Sequence, residues 1–396
     1  MSRKFSPWPF FTEEEIHSVK NVLSSNKVNY WTGDECRKFE KEFAVWADSK
    51  YAVTLANGTL ALDIAFKALG IGAGDEVIVT SRSYIASITS IINSGATPVF
   101  VDVDLESQNI TPNNISSAIN NKTKAILCVH LAGWPCEMNE IKSIANTHNL
   151  FIIEDCAQAH GAKYKGVSVG SIGDIGCWSF CQDKIMTTGG EGGMVTTSDK
   201  SLWLKMWEYK DHGKSYEAVY EREHPQGFKW LHESFGTNWR MTEMQGAIGR
   251  IQLNRMSEWT RLRNRNADIL TKAFLKFANK DGIIRIPQLN CDEGSTHAYY
   301  KYYVFVNPSA CKKNWDRDRI ISEISSEGVP CMHGSCSEIY QEKAFDNTEY
   351  RPNKRLPVAK QLGETSIVFL VHPTLKEDEM KNISKVATSI FKRALV

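Results

Sequence analysis

The stretch Phe151-Ile152-Ile153-Glu154-Asp155-Cys156-Ala157-Gln158-Ala159-His160-Gly161 joins an apolar run of strand length to two carboxylates and a polar turn. In an open parallel sheet, ligands sit beyond the carboxyl ends of the strands. Asp155 is therefore expected at the lip of a crevice rather than inside a core. Downstream stands Ser179-Phe180-Cys181-Gln182-Asp183-Lys184, followed by the glycine-rich Thr187-Thr188-Gly189-Gly190-Glu191-Gly192-Gly193.

Working outward, near-continuous apolar runs at 51–55, 75–80, 97–103, 125–131 and 194–197 alternate with helical stretches such as 138–148. That alternation predicts a parallel sheet covered on both faces. Thr12-Glu13-Glu14-Glu15 reads as a capping box before Ile16, Val19 and Leu23. Asn57-Gly58-Thr59 turns a strand into a helix ended by Gly70, and free N–H groups at a helix start make an anion site. Residues 214–235 carry many charges and aromatics and read as an excursion over the surface or onto a partner subunit. After residue 254 the chain changes character. Runs at 299–306 and 366–372 read as strands, and Ile320/Ile321/Ile324 and Met380/Ile383/Val386/Ile390 as amphipathic helices. The expected division is a large domain with an N-terminal arm over 1–254 and a smaller α+β domain over 255–396.

A strand-end aspartate, a lysine in a turn and a glycine-rich loop point to one chemistry. Pyridoxal 5'-phosphate needs a Schiff-base lysine, a carboxylate partner for its pyridinium nitrogen and a cradle for its phosphate. Lys184 supplies the amine, nucleophilic only when neutral. Asp155 supplies the carboxylate that keeps the ring nitrogen protonated.

Bulk properties narrow the remaining classes. The chain has 396 residues, with 47 Lys and Arg against 46 Asp and Glu, so no global field recruits nucleic acid. Mean hydropathy is −0.34 and no apolar run is long enough to span a bilayer. The opening Met1-Ser2-Arg3-Lys4-Phe5-Ser6-Pro7-Trp8-Pro9 lacks the apolar centre of a signal peptide, so a cytoplasmic protein is expected. The ten cysteines are scattered, and the close pairs Cys177/Cys181 and Cys331/Cys336 lack CxxC spacing, so reduced thiols and no metal site are expected. Neither internal repeats nor low-complexity tracts occur.

Glu154 to Gly161, then Ser179-Phe180 with Lys184, then Gly190-Glu191-Gly192-Gly193, resemble the DegT-type sugar aminotransferases over about residues 12–390. Gly236-Thr237-Asn238-Trp239-Arg240-Met241-Thr242-Glu243 is similar to that family's G-x-N-x-R-M-x-E signature. The resemblance implies PLP fold type I: a large domain with a mostly parallel seven-stranded sheet covered by helices, plus a smaller C-terminal α+β domain. It implies that Gly58, Thr59 and Ser179 hold the cofactor phosphate, that Tyr84 stacks on the pyridine ring and that Gln158 meets its 3′-hydroxyl or ring face. It further implies a homodimer in which Asn238 reaches the other subunit's phosphate, with Trp31, Thr32 and Arg240 on the substrate side. His333 is a further substrate-side candidate.

The implied reaction moves nitrogen from L-glutamate, through pyridoxamine 5'-phosphate, to a nucleotide-linked 4-keto-6-deoxyhexose for O-antigen or another surface glycan. Amination of a 3-keto sugar is the nearest alternative, and a non-catalytic binding protein the alternative from another class. A dehydratase branch of the family carries histidine where this chain keeps Lys184. Two departures stand out. Gln182-Asp183 replaces a common Pro-Thr, and Cys331-Met332-His333-Gly334-Ser335-Cys336 replaces a His-Tyr-x-Pro-like stretch.

Overall fold

The apolar runs become the strands of one large sheet in the computed structural model, which describes residues 5–289, 294–334 and 337–396. In chain order these are β1 (Tyr51–Leu55), β2 (Glu76–Thr80), β3 (Thr97–Val101), β4 (Thr123–Val129) and β5 (Phe151–Asp155). A short hairpin of β6 (Lys163–Tyr164) and β7 (Val167–Ser168) precedes β8 (Ile175–Ser179) and β9 (Gly193–Thr197). The sheet order is β1-β9-β8-β5-β4-β2-β3, and every neighbouring pair is parallel except the two made by β9. The expected mostly parallel seven-stranded α/β sheet is present.

Alternation along these strands explains why both faces are covered. Val77, Val79, Ala125, Leu127 and Ile153 share one core with Leu62, Ala65 and Phe66 of helix Gly58–Leu69. Their neighbours Ile78, Ile126, Cys128 and Ile152 pack on the opposite face with Met138 and Ile141 of helix Met138–His148. Central strand β5 ends at Asp155, in register with Val129 of β4 and Cys177 of β8. The middle of the sheet's carboxyl edge is thus where the aspartate emerges.

A second sheet contains β10 (Ile284–Arg285), β11 (Tyr302–Val306), β12 (Cys331–Met332) and β13 (Ser366–Phe369), in the order β10-β11-β13-β12 and antiparallel throughout. Helices Arg317–Ser326 and Glu377–Ala394 cover it with Ile320, Ile324, Met380, Ile383 and Ile390. Helix Glu243–Phe274, started by a Thr242–Gln245 capping box, runs through both parts. Its Leu253 and Met256 pack beside the large sheet, and its Leu270 and Phe274 join the small sheet's core. The 254/255 position therefore falls inside a continuous helix.

Several runs pair over less than their apolar length. The run 125–131 leaves the sheet after Val129 because Leu131–Gly133 turns tightly and Ala132 adopts φ 57°. The run 97–103 stops at Val101, with Val103 making one isolated bridge to Ile110. Pairing in 299–306 begins only at Tyr302, after the left-handed Tyr299, and in 366–372 it stops at Phe369. Within 214–235, Tyr216–Tyr220 is a short helix, while Phe228, Trp230 and Phe235 are 78%, 80% and 100% exposed. Among the described residues, eight cysteines are free and no helix is long and apolar enough to cross a membrane. Residues 1–4 of the opening segment, and Ser335 and Cys336 of the 331–336 stretch, lie outside the described residues.

Candidate active site

Gly58, Thr59, Tyr84, Asp155, Gln158, Ser179 and Lys184 line a single cavity of about 600 Å³. Three separate loops meet there: the start of helix Gly58–Leu69, the end of β5 and the end of β8. Asn57 caps that helix by accepting from the Leu60 N–H at 3.0 Å. The N–H groups of a first turn have no partner within their own helix. A Cβ on Gly58 would lie 2.5 Å from Cβ of Ser179, and one on Gly193 would lie 2.2 Å from the Asn57 carbonyl oxygen. Only glycines allow β8, β9 and the helix start to close this tightly, which brings backbone amides and the Ser179 hydroxyl together as an anion cradle.

Across the cavity Asp155 is 7% exposed. Its Oδ2 accepts from the Ser87 hydroxyl at 2.7 Å and its Oδ1 from the Ala157 N–H at 3.1 Å. Gln158 is oriented by the Ala132 N–H, which donates to its Oε1 at 2.8 Å. Tyr84 stands at the rim, 68% exposed. The Lys184 side chain is 15% exposed, with Nζ 3.8 Å from Asp183 Oδ1 and 5.3 Å from the centroid of Tyr300. Tyr300 donates to Asp183, and Trp8 Nε1 donates to the Lys184 carbonyl at 2.9 Å.

Behind Asp155, the wholly buried Glu154 is held by four donors. They are His130 Nε2 at 2.9 Å and the N–H groups of Gly170, Ile172 and Gly173 at 2.8, 2.9 and 2.7 Å. Burial alone would raise this carboxyl, but His130 and the amides of Gly173 and Gly170 hold it below the ordinary range. His130 Nδ1 accepts from the Cys136 N–H, so its Nε2 carries the proton donated to Glu154. His130, Glu154 and Cys156 have ligand atoms within 4.8 Å of one another, but the histidine and carboxylate lone pairs are already taken by protein donors. The cluster braces the end of β5, and the His130 N–H donates to the Asp155 carbonyl at 3.2 Å.

Five expected residues lie outside this cavity. Trp31 packs edge-on against Trp207 in a separate cleft, with Lys214 Nζ 4.0 Å over its ring. Thr32 is exposed and bonds the Asn29 carbonyl. Arg240 pairs with the buried Asp211 at 2.6 Å. His333 is exposed and pairs with Asp318 at 3.1 Å. Asn238 is exposed too, and the contact expected of it belongs to a second subunit. Conversely, Ser83, Ser87, Asp183, Tyr300 and Trp8 shape the site without any local motif to announce them.

These donors suit pyridoxal phosphate. The glycine-walled cradle could take a phosphate, the buried carboxylate a protonated ring nitrogen, and the lysine amine an aldehyde.

A model of the DegT/DnrJ/EryC1/StrS aminotransferase family matches residues 9–388. The chain superposes on the crystal structure of the aminotransferase from Psychrobacter cryohalolentis with a TM-score of 0.97 and 63% identity, covering 98% of this chain and 99% of that one. It is 44% identical over 372 residues to GDP-perosamine synthase of Escherichia coli O157:H7, covering 94% of each. Over 374 residues it is 32% identical to dTDP-3-amino-3,6-dideoxy-alpha-D-galactopyranose transaminase of Aneurinibacillus thermoaerophilus, again covering 94% of each.

Proposed function

Since the chain belongs to the DegT/DnrJ/EryC1/StrS aminotransferase family and is a pyridoxal-phosphate-dependent sugar-nucleotide aminotransferase, we propose that it transfers the amino group of L-glutamate to a GDP-linked 4-keto-6-deoxyhexose. The observation that carries the sugar assignment is the 44% identity, across nearly all of both chains, to a GDP-perosamine synthase. The 32% identity to a transaminase named for a 3-amino sugar supports the second reading, amination at C3. The product would enter O-antigen or a similar surface polysaccharide, made in the cytoplasm.

Bound pyridoxal phosphate supplies an electron sink and a carbon that exchanges nitrogen. Lys184 Nζ is the amine that would hold the cofactor, and when free it would be the base that takes up and gives back a proton. Positioned acid–base catalysis of this kind contributes on the order of 10²- to 10⁴-fold. The Asp155 carboxylate, at the end of a central strand, would keep the ring nitrogen protonated. Gly58, Thr59 and Ser179 would hold the phosphate, Gln158 would meet the ring hydroxyl, and Tyr84 would shield the ring from water. We assign residues 1–254 to cofactor binding, and the remainder to closing the site.

The substrate side is completed by a second copy of the chain. Exposed Phe228, Trp230 and Phe235 support that docking. Asn238 would then serve the neighbouring phosphate, with Trp31, Thr32, Arg240 and His333 toward the sugar nucleotide. The test is incubation with glutamate and a panel of GDP-, dTDP- and UDP-linked 3-keto and 4-keto sugars, read by mass and by the position of the new amine. Preferred amination of the GDP 4-keto sugar is expected. Preference for a 3-keto sugar would replace this reading with the second.

A further inference from the structure

A second cavity, of about 350 Å³, adjoins the lysine's own segment. Gln182 and Asp183 line it, and Asp183 lines the first cavity as well. Its other walls include Trp8, Arg263, Lys301, Met332 and His372. Gln182-Asp183 and Met332, from the two stretches at which this sequence departs from the family pattern, thus line one space.

The charges facing that space do not balance. Arg263 is 2% exposed. Its Nη1 donates to the carbonyls of Tyr299 and Tyr300 at 3.2 and 3.5 Å, its Nε is buried without a partner, and Trp8 lies 5.2 Å from the guanidinium carbon. Among the described residues no carboxylate lies within ion-pair distance of it, although buried guanidinium groups are ordinarily paired. Burial pushes Arg263 down to about 9, which leaves it charged at neutral pH. Lys301 makes no ion pair among the described residues, and its Nζ lies 4.9 Å from the Tyr300 centroid. Burial lowers Lys301, Asp183 raises it, and Arg263 and Lys184 lower it further, so these groups share one electrostatic neighbourhood. Burial pushes His372 down to about 3, which makes it neutral. Among the described residues Asp183 is the sole acidic wall residue, and it already takes the Tyr300 hydroxyl beside Lys184. A buried guanidinium without a carboxylate partner, with a half-buried amine beside it, is a place for an anion.

We propose that this cavity takes the side-chain carboxylate of the dicarboxylic amino donor, with Arg263 and Lys301 as its binding cations. The proposal rests on the transaminase reading with glutamate as donor. The volume suits the side chain of a five-carbon dicarboxylate and is too small for a sugar joined to a nucleoside diphosphate. Asp183, common to both cavities, repels a misplaced carboxylate from the lysine and so fixes which end of the donor faces Lys184.

The test titrates glutarate, a dicarboxylate without an amine, into the cofactor-loaded enzyme by calorimetry. Lys301→Gln should weaken glutarate binding about 10-fold, the typical effect of losing one charge-assisted contact. Asp183→Asn, which removes the opposing charge, should tighten it, an outcome that general damage to the site would not produce. In single-turnover absorbance measurements, Lys301→Gln should raise half-saturation for glutamate by a similar factor and leave that for L-alanine unchanged. Arg263→Met should lose glutarate binding, and the other two variants decide the matter if it does not fold. Glutarate affinity and glutamate half-saturation within about two-fold of wild type in Lys301→Gln would overturn the pocket while leaving glutamate as donor. Inorganic phosphate that binds the cofactor-loaded enzyme as tightly as glutarate and abolishes its heat of binding would also overturn it. Wild-type enzyme whose cofactor glutamate cannot convert would overturn the donor reading and the pocket together.

Discussion

Ser87 donates a 2.7 Å hydrogen bond to Oδ2 of Asp155, and the Ser83 hydroxyl stands 2.7 Å from that of Ser87. Two hydroxyls four residues apart thus orient the carboxylate assigned to the cofactor's ring nitrogen. Ser87→Ala should shift the pH at which the bound cofactor's absorbance changes and slow the glutamate half-reaction about 10-fold, as expected for one charged hydrogen bond. Ser87→Thr, which keeps the hydroxyl, should restore both. An unchanged absorbance titration in Ser87→Ala would remove Ser87 from any positioning role.

Lys184 is the one amine expected to hold the cofactor covalently. Borohydride treatment should fix the cofactor permanently to wild-type protein, and peptide mapping should find it on residue 184. Lys184→Ala should bind cofactor but release all of it on denaturation after reduction. Retained label would refute the assignment.

A methyl group at position 58 has nowhere to go, since it would meet Ser179 Cβ at 2.5 Å. Overpacking of this kind costs about 1–3 kcal/mol, or roughly 10-fold or more in cofactor affinity if the cradle opens to relieve it. Gly58→Ala should therefore lose cofactor on dialysis where wild type retains it. Equal retention would show that the phosphate is held elsewhere.

Burial pushes His160, His297 and His372 each down to about 3, whereas an unfolded histidine titrates near 6.5. Between those values the unfolded chain binds more protons than the folded one. The stability is therefore fully present above pH 6.5 and lost as pH falls toward 3. One unit below 6.5, each residue costs about 1.4 kcal/mol. The Tm should fall between pH 7.5 and 5.5, and His160→Leu should flatten that slope whatever it does to the Tm at pH 7.5. Parallel slopes for both proteins would contradict the burial argument.

If a second copy covers the aromatics of 214–235, replacing Trp230 and Phe235 by serine should convert a dimer to a monomer in light scattering. An unaffected dimer would place the interface elsewhere, and a wild-type monomer would overturn the dimer itself.

Local chemistry made part of this architecture legible in advance. An uninterrupted apolar run ending in Glu154-Asp155 leaves no doubt about which residue emerges from the sheet, and the Thr12 box marks a helix start that the structure places there. Hydrophobicity alone cannot say where pairing stops, because Leu131 is as apolar as Val129 and only the left-handed turn at Ala132 separates them. Contacts distant in sequence left no trace at all. Trp8 meets the Lys184 carbonyl across 176 residues, and Tyr300 meets Asp183 across 117. Ser87 is an ordinary polar position on a short helix until β5 is laid beside it.

Helix Glu243–Phe274 has no proline along its 32 residues, and its two halves are gripped by different cores. At its front end Glu243 accepts from the Cys36 N–H at 3.3 Å, and Gly33 is packed so closely that a Cβ there would overlap the same carboxylate. With no proline to kink it, such a rod would carry a displacement at one end to the other. Any rocking of the small sheet is therefore geared, through one lever arm, to the loop that carries Trp31 and Thr32.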